Sequence, residues 1–400
     1  MKKVILIVLA FIVFSCNGYK SSKTLSNSLS TNRAGSASVP RVMKEEPLVV
    51  RINTDIKPLY DSISTDNIID NVSLKRLETN EKSYLGDCDV KIVGDHYVLI
   101  TRNLMMPKVK VFDLEGAYQT DVLTIGRGPK ELPMVYTVSM DYNNSDIVIH
   151  GPGKILRYNI LTRETEEKNV DNNHSFRKLT NLNNNNYMAV DNAVNTTGSK
   201  ERFIRPVFYY LNSDFIVTDS IFAYKAIQRN IDGAAPSPTI CDQLYECDGR
   251  VLLKEEENDT VFLVNNDKSL SPIVVFDIPK KLTPTIKNSE LDKQEKKDKM
   301  VYIRNIVESK DYVFVTYRYR GLDNTGVWDK RTGIYVYSFS AFAGTHIMIS
   351  IEGRHIFLPF SFVEWESNTI ISTVPAINLV GIIDGVKEDD NPVVVKVKLK

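Results

Sequence analysis

One motif recurs along this chain and limits what it can fold into: an apolar strand, a short polar turn and a second strand. VKIVGDHYVLIT (90–101) divides at Gly94-Asp95. In VKVFDLEGAYQTDVLTIG (109–126), Val109, Val111 and Phe112 lead to Asp113, and the chain reverses at Glu115-Gly116. ILRYNILTRETEEKNV (155–170), VFYYLNSDFIVTDSIF (207–222), TVFLVNNDKSLSPIVVF (260–276) and GIYVYSFSAFAGTHIMIS (333–350) have the same shape. Runs of β-branched and aromatic residues bounded by Asn, Asp, Gly and Ser predict hairpins. VSLKRLE (72–78) alternates imperfectly, and LVVRI (48–52), DIVIH (146–150), RVLLK (250–254), DYVFVTYRY (311–319) and HIFLPF (355–360) add single strands. Helical periodicity is scarce, so the expected class is all-β.

A hairpin alone hides little apolar area, so these units must pack on one another. Two architectures achieve this: a radial array of small sheets with short, protected edges, or two β-sandwiches. Divided among six four-stranded blades, the roughly 350 residues from 48 onward supply about 58 each. The strongly apolar VVVKVKL (393–399) stops one residue short of the C-terminus. Pairing it with the N-terminal strand LVVRI would close the array and remove an exposed edge.

The N-terminus has a different character. Lys2 and Lys3 precede VILIVLAFIVF, an uninterrupted apolar run from Val4 to Phe14. A membrane-spanning helix needs roughly 20 such residues, so this run has signal-peptide length. It ends at Ser15-Cys16, a small residue before a nucleophilic thiol. The arrangement resembles the lipobox of bacterial lipoproteins, which implies cleavage before Cys16 and its acylation, with palmitate among the expected chains. Residues 1–15 are thus expected to be a signal peptide. Residues 16–47, rich in Ser, Thr, Asn and Gly, are expected to be the lipidated cysteine and a disordered tether, and residues 48–400 the folded domain. No later run is long and apolar enough to span a bilayer. Without an acidic export signal after Cys16, lipid anchoring to the outer membrane facing the periplasm is favoured over the cell surface.

The chain has 50 basic and 50 acidic side chains. Nucleic-acid binding usually relies on excess basic charge, so that partner class is not expected. Beyond Cys16 the cysteines are Cys88, Cys241 and Cys247. If Cys241 to Cys247 runs as strand, those six residues span about 20 Å, whereas a disulfide needs Cα atoms within about 7 Å. Buried free thiols are the favoured expectation; a turn near Glu246 would permit a bond. KKLTPTIKNSELDKQEKKDKM (280–300), in which Ser289 could cap a short helix, reads as a solvated insertion. NLNNNNY (181–187) reads as a loop.

The segment 109–132 resembles the signature of the six-bladed β-propeller lipoprotein family of Bacteroidetes. Phe112, Asp113 and Gly116 match its "FD-x-x-G", and Gly126, Gly128, Pro129 and Glu131 match its "G-x-G-P-x-E" in a compact form. LKRLETNEKSYLGDCDVKI (74–92), CDQLYECDG (241–249), VYIRNIVESKDYVFVTYRY (301–319) and DDNPVVVKVKL (389–399) extend the likeness over most of the domain. The resemblance implies a lipoprotein propeller, often associated with glycan use or nutrient uptake. It implies no agreed catalytic mechanism.

Specific chemistry is sparse. Gly126-Arg127-Gly128-Pro129 lacks the Gly-Lys-Ser/Thr and following helix of a phosphate loop, so a structural turn held by Glu131 is expected. His96, His150, His174, His346 and His355 form no H-x-H or H-E-x-x-H set. No G-x-S-x-G elbow occurs, and Glu388-Asp389-Asp390 reads as a solvated turn. No catalytic residue, metal ligand or cofactor is therefore assigned. Trp328, read in a polar loop, and Trp365 are the candidate ligand platforms, with a core position the competing role for each. The favoured reading is a monomeric, membrane-anchored, non-catalytic binding or scaffold lipoprotein with a protein or glycan partner, accessory to glycan or nutrient uptake. The alternatives are a carbohydrate-active enzyme, such as a polysaccharide lyase or hydrolase, with carboxylates at the channel mouth, and a structural accessory of an outer-membrane assembly.

Overall fold

The computed structural model describes residues 46–52, 68–102, 107–170, 174, 176–182, 185–196, 201–222, 227–230, 243–255, 258–279, 281, 300–320, 322–333, 335–341, 346–360 and 362–400. The signal peptide, Cys16 and nearly all of the tether lie outside them, as do Cys241 and most of 280–300. Among the described residues no helix is long and apolar enough to cross a membrane.

The fold is an all-β six-bladed propeller. Blade one runs outward from Cys88–Val93 through His96–Thr101 and Val109–Asp113 to Tyr118–Asp121. Blade two comprises Thr137–Asp141, Asp146–Gly151, Lys154–Asn159 and Thr165–Asn169. Blade three begins at Lys178–Leu182 and continues through Asn186–Thr196, Glu201–Leu211 and Val217–Phe222, with Ile227–Asn230 also on the third strand. Blade four comprises Gln243–Cys247, Arg250–Lys254, Thr260–Val264 and Leu270–Asp277. Blade five comprises Tyr302–Glu308, Tyr312–Tyr319, Leu322–Asp329 and Tyr335–Ala341. Blade six runs from Phe362–Glu364 through Thr369–Val374 and Val393–Leu399 to Ile69–Lys75.

Local chemistry sets the hairpins. Between blade four's first two strands, Cys247 pairs with Arg250 across only Asp248 and Gly249. Both turn residues have positive φ, 56° and 63°. That is the backbone of a two-residue primed turn, whose twist matches the flanking strands.

Packing between blades then joins the sheets. Among the described residues, six apolar clusters fill the six interfaces between successive blades around the ring. Val98, Val111, Ile147 and Leu156 join blades one and two, and Val148, Ile155, Leu179 and Tyr187 join two and three. Phe208, Leu244 and Leu253 join three and four; Leu252, Phe276, Val315 and Trp328 join four and five. Phe314, Ile370 and Val395 join five and six. Val90, Leu99, Ile371 and Val394 bring blade six against blade one.

Three expectations need correction. LVVRI does not pair with the C-terminal strand. Leu48–Arg51 instead lies parallel to Leu270–Asp277 on the outside of blade four, where Val50 and Ile52 enter the apolar cluster against blade five. The partner of Val393–Leu399 is Ile69–Lys75, antiparallel to it. The segment 333–350 is not one hairpin: Tyr335–Ala341 ends blade five, while His346–Ile351 pairs with Arg354–Pro359 as a separate two-stranded sheet. Finally, Trp328 is not in a loop. It lies within Leu322–Asp329 and is 2% exposed, which removes it as a ligand platform.

Candidate functional site

The innermost strands of the six blades surround a cavity of about 510 Å³. Volumes of roughly 300–1,000 Å³ suit small ligands. Side chains alternate between the two faces of a strand, which decides what each innermost strand presents here. In Cys88–Val93, Cys88 and Val90 are buried against blade six, while Asp89 and Lys91 line the cavity. Lys178 and Thr180 come from blade three, Tyr245 and Glu246 from blade four, and Phe362 from blade six. Tyr142 enters from the turn after blade two's first strand.

Two charged groups occupy this cavity. The first contains Lys91, Lys178 and Glu246. The Thr180 hydroxyl donates to the Glu246 carboxylate. Burial raises the Glu246 carboxyl above its ordinary range, against the Thr180 bond and the lysine charges that favour ionisation. Lys178 is pushed down to about 8, first by its enclosure among the blades and then by the like charge of Lys91; Glu246 opposes the shift. Lys91 is lowered by the same enclosure, against the pull of Glu246 and Asp89. Asp89 in turn receives Arg102 at 2.8 Å. Beside these charges is an aromatic face. Tyr142 and Phe362 have ring centroids 6.0 Å apart and planes 31° apart, and Lys91 Nζ lies 5.7 Å from the Phe362 centroid. Burial, then the charge of Glu246, keeps the Tyr142 phenol well above its usual range.

The second group is braced internally. Tyr245 donates its hydroxyl to Glu308 at 2.9 Å, and Lys330 donates to the other Glu308 oxygen at 2.7 Å. Lys330 Nζ stands 4.6 Å over the Trp365 ring, with the Arg250 guanidinium 5.6 Å from it. Trp365 therefore lines the cavity, partly buried beneath two cations.

The signature residues lie elsewhere. Phe112 is fully buried between blades six and one. Asp113 accepts the Ala117 amide at 2.8 Å, and Gly116 offers its carbonyl to the Glu78 amide at 2.8 Å. Glu131 accepts the Gly128 amide at 2.8 Å, while Lys154 donates to the Gly128 carbonyl at 2.9 Å. Gly126 packs so closely on the Glu131 carboxylate that an added Cβ would lie 1.9 Å from it. Pro129 belongs to the same turn. None of these seven residues lines the cavity. Cys88 and Cys247 are buried free thiols, with Cys247 raised to about 12 by burial and the Glu308 charge. Among the described residues no group of three or more His, Cys, Asp or Glu is positioned for a metal.

Lys91, Lys178 and Glu246 were not distinguished by the sequence, because each stands on a different blade. One local signal existed: Lys91 interrupts the apolar VKIV (90–93), an unusual place for a charge unless that position faces a cavity.

A family described as Domain of unknown function (DUF4934) matches residues 48–398. No curated protein matches the sequence. Among solved structures, a Bacteroides fragilis NCTC 9343 protein described as exported (BF0058) aligns with a TM-score of 0.61 at 16% identity, over 89% of this chain and 100% of that one. This likeness shows the shared propeller fold. The Cps50 (Swd1) β-propeller domain of Myceliophteria thermophila aligns with a TM-score of 0.39 at 10% identity, over 82% of this chain and 100% of that one. Virginiamycin B lyase from Staphylococcus aureus aligns with a TM-score of 0.37 at 9% identity, over 82% and 99% respectively.

Proposed function

The chain belongs to the DUF4934 family, and from that premise we propose that it is a lipid-anchored binding protein of the bacterial cell envelope whose ligand enters the central cavity. The observation that carries this reading is the cavity itself: a small-ligand volume enclosed by six strands and lined by charged and aromatic side chains from separate blades. A rigid ring holds such groups in fixed geometry, so little ordering cost falls on binding.

The anchor rests on the leader and Cys16. Multiple acyl chains, at about 0.8 kcal/mol per buried CH2, hold a protein stably on a membrane. Cys16→Ser is expected to move the protein from the detergent phase to the aqueous phase on phase separation. Protease treatment of intact cells decides which side it faces; digestion would place it on the surface instead of the favoured periplasmic side.

The binding role is tested by a glycan array together with pulldown from envelopes. The wild-type chain is compared with the double variant Tyr142→Ala, Phe362→Ala. Capture by the wild type that disappears in the double variant, with an unchanged melting temperature, supports the cavity as the site. Equal capture by both removes the cavity from the binding role and points to the outer loops.

One observation favours the enzyme reading. An amine held near 8, as Lys178 is, can act as a general base near neutral pH, as a polysaccharide lyase requires. A hydrolase has less support, since Glu308 is already occupied by Tyr245 and Lys330. Incubating the protein with acidic polysaccharides and following the ultraviolet absorbance of unsaturated ends separates the roles: a steady rise lost in Lys178→Met makes it a lyase.

A further inference from the structure

Most cations around the cavity are engaged by other side chains. Arg102 meets both Asp87 and Asp89, Arg250 meets Asp248, and Lys330 meets Glu308. Lys91 and Arg177 have partners as well. Lys178 differs. Among the described residues no hydrogen bond or ion pair holds its amine, and its side chain is exposed where it lines the cavity. Lys178 opens blade three's innermost strand, and its neighbour Leu179 packs in the interface with blade two. Alternation along that strand puts Lys178 and Thr180 on the cavity face, about 6.5 Å apart. The Thr180 hydroxyl and the Asn181 amide both donate to Glu246 of blade four. The Glu246 carboxyl is therefore docked on the strand that carries Lys178, at a separation that a long lysine side chain bridges. Enclosure, then the like charge of Lys91, pushes the Lys178 amine down to about 8, against the pull of Glu246. At pH 7 such an amine is unprotonated about one time in ten, against about one in three thousand for an ordinary lysine. Burial raises the Glu246 carboxyl and so favours its proton-carrying form. A neutral amine next to a proton-carrying carboxyl is the pair that condensation with a carbonyl requires. The aromatic face adjoins this pair: Tyr142 feels the Glu246 charge, and its ring neighbours that of Phe362.

We propose that Lys178 captures a small aldehyde or ketone as a reversible imine, with Glu246 carrying the protons and the Tyr142–Phe362 face against the ligand's body. This rests on the reading of the cavity as a ligand site. The Lys178 nitrogen lone pair bonds to the carbonyl carbon, and the carbonyl π pair moves to the oxygen, which takes the Glu246 proton. A proton from the nitrogen then returns to the Glu246 carboxylate. Glu246 next protonates the new hydroxyl. The C–O bond breaks, water leaves, and the nitrogen lone pair closes the C=N bond. The remaining N–H proton passes back to Glu246. Amine and carbonyl thus give imine and water with no oxidant or reductant consumed, and hydrolysis returns the ligand unchanged. Of the ionisable groups that line the cavity with Lys178, Lys91 and Glu246 set its proton affinity; Arg177, Asp89 and Tyr142 complete the surroundings.

The test incubates the full chain in detergent with benzaldehyde and cyanoborohydride, whose hydride converts an imine into a stable secondary amine. Peptide mass spectrometry then locates the label. At pH 7 Lys178 is expected to label at least tenfold faster than any surface lysine. Its rate should level off above about pH 8, whereas surface lysines keep gaining toward about pH 10. Lys91→Met removes a like charge, so the levelling should move to higher pH and the rate at pH 7 should fall. Glu246→Gln removes both an opposite charge and the proton carrier. The levelling should then move to lower pH while the plateau drops tenfold or more, a split that a merely structural carboxyl would not produce. Lys178→Arg should lose this label and no other. Melting temperatures identify any variant that fails to fold, and the wild-type pH profile decides the question without them. Lys178 labelled no faster than surface lysines, or still gaining toward pH 10 as they do, would overturn the proposal. An undiminished plateau in a folded Glu246→Gln would overturn the role given to Glu246. Failure of the cavity as a ligand site appears separately, as equal capture by the Tyr142 and Phe362 variant.

Discussion

A buried titratable residue shows its environment through its response to acid. His150 is fully buried, with Tyr136 and Phe176 ring centroids 5.2 and 5.0 Å away. Burial pushes its pKa down to about 4 from the ordinary 6.5. Between these values the unfolded chain takes up a proton that the folded chain refuses. Stability is therefore complete above about 6.5 and declines as pH falls toward 4, by about 3 kcal/mol in total. His150→Leu fills similar space without a proton site. It is expected to flatten this part of the acid-denaturation profile, measured as melting temperature from pH 7 to pH 4; an unchanged slope would mean that other groups control it. Trp328 gives a second lesson at this scale. Its neighbours Asp323, Asn324 and Thr325 suggested a polar loop, yet all three are buried. Arg304 meets Asp323 at 2.6 Å, Thr316 meets Thr325 at 3.2 Å, and Asn324 donates to the Leu322 carbonyl at 3.0 Å. Partnered polar groups can occupy an interior strand, so hydropathy alone assigned this segment to the surface.

Among elements, the signature segment is a joint between units. Gly116 has φ +89°, and an added Cβ would lie 2.2 Å from the Arg76 carbonyl oxygen. Both the conformation and the space exclude a side chain. Gly116→Ala should cost about 2–4 kcal/mol, seen as a lower urea midpoint with ligand affinity unchanged in the surviving folded protein. Glu131→Ala removes the acceptor for the Gly128 amide and should cost about 1 kcal/mol; ligand loss with an unchanged midpoint would mark the turn as a binding loop instead. Hairpins 90–101, 155–170, 207–222 and 260–276 were legible because turn residues and β-rich runs act within a few positions of each other. The outer-strand exchange was not. LVVRI and IDNVSLK are both short apolar-polar strands of similar character, and only the shapes of the waiting edges decide between them. The cavity was hidden for the same reason, since six strands from distant parts of the chain meet there and none carries a motif alone.

For the molecule as a whole, the question is what the last eleven residues contribute. Val393–Leu399 is an interior strand of blade six, with Thr369–Val374 on one side and Ile69–Lys75 on the other. Val393, Val394, Val395, Val397 and Leu399 are all at most 3% exposed. They are shared between the cluster against blade five and the one against blade one. Asn391 ties the same segment to the chain ahead of blade one. It accepts the Leu85 amide at 2.8 Å and donates to the Glu78 and Ser83 carbonyls at 2.7 and 3.0 Å. Fully burying a Val or Leu contributes roughly 1.5–3 kcal/mol, so five of them rival the ~5–15 kcal/mol that separates a typical folded domain from its unfolded chain. Their removal also leaves Ile69–Lys75 without a partner and exposes an edge of Thr369–Val374 to self-association. Deleting residues 390–400 is therefore expected to abolish the cooperative thermal transition and give soluble aggregates. Asn391→Ala, which keeps the strand and loses only its polar ties, should fold with a melting temperature lowered by the loss of about 1–3 kcal/mol. A truncated chain that melts at the wild-type temperature would show that the three remaining strands of blade six hold the ring without this one.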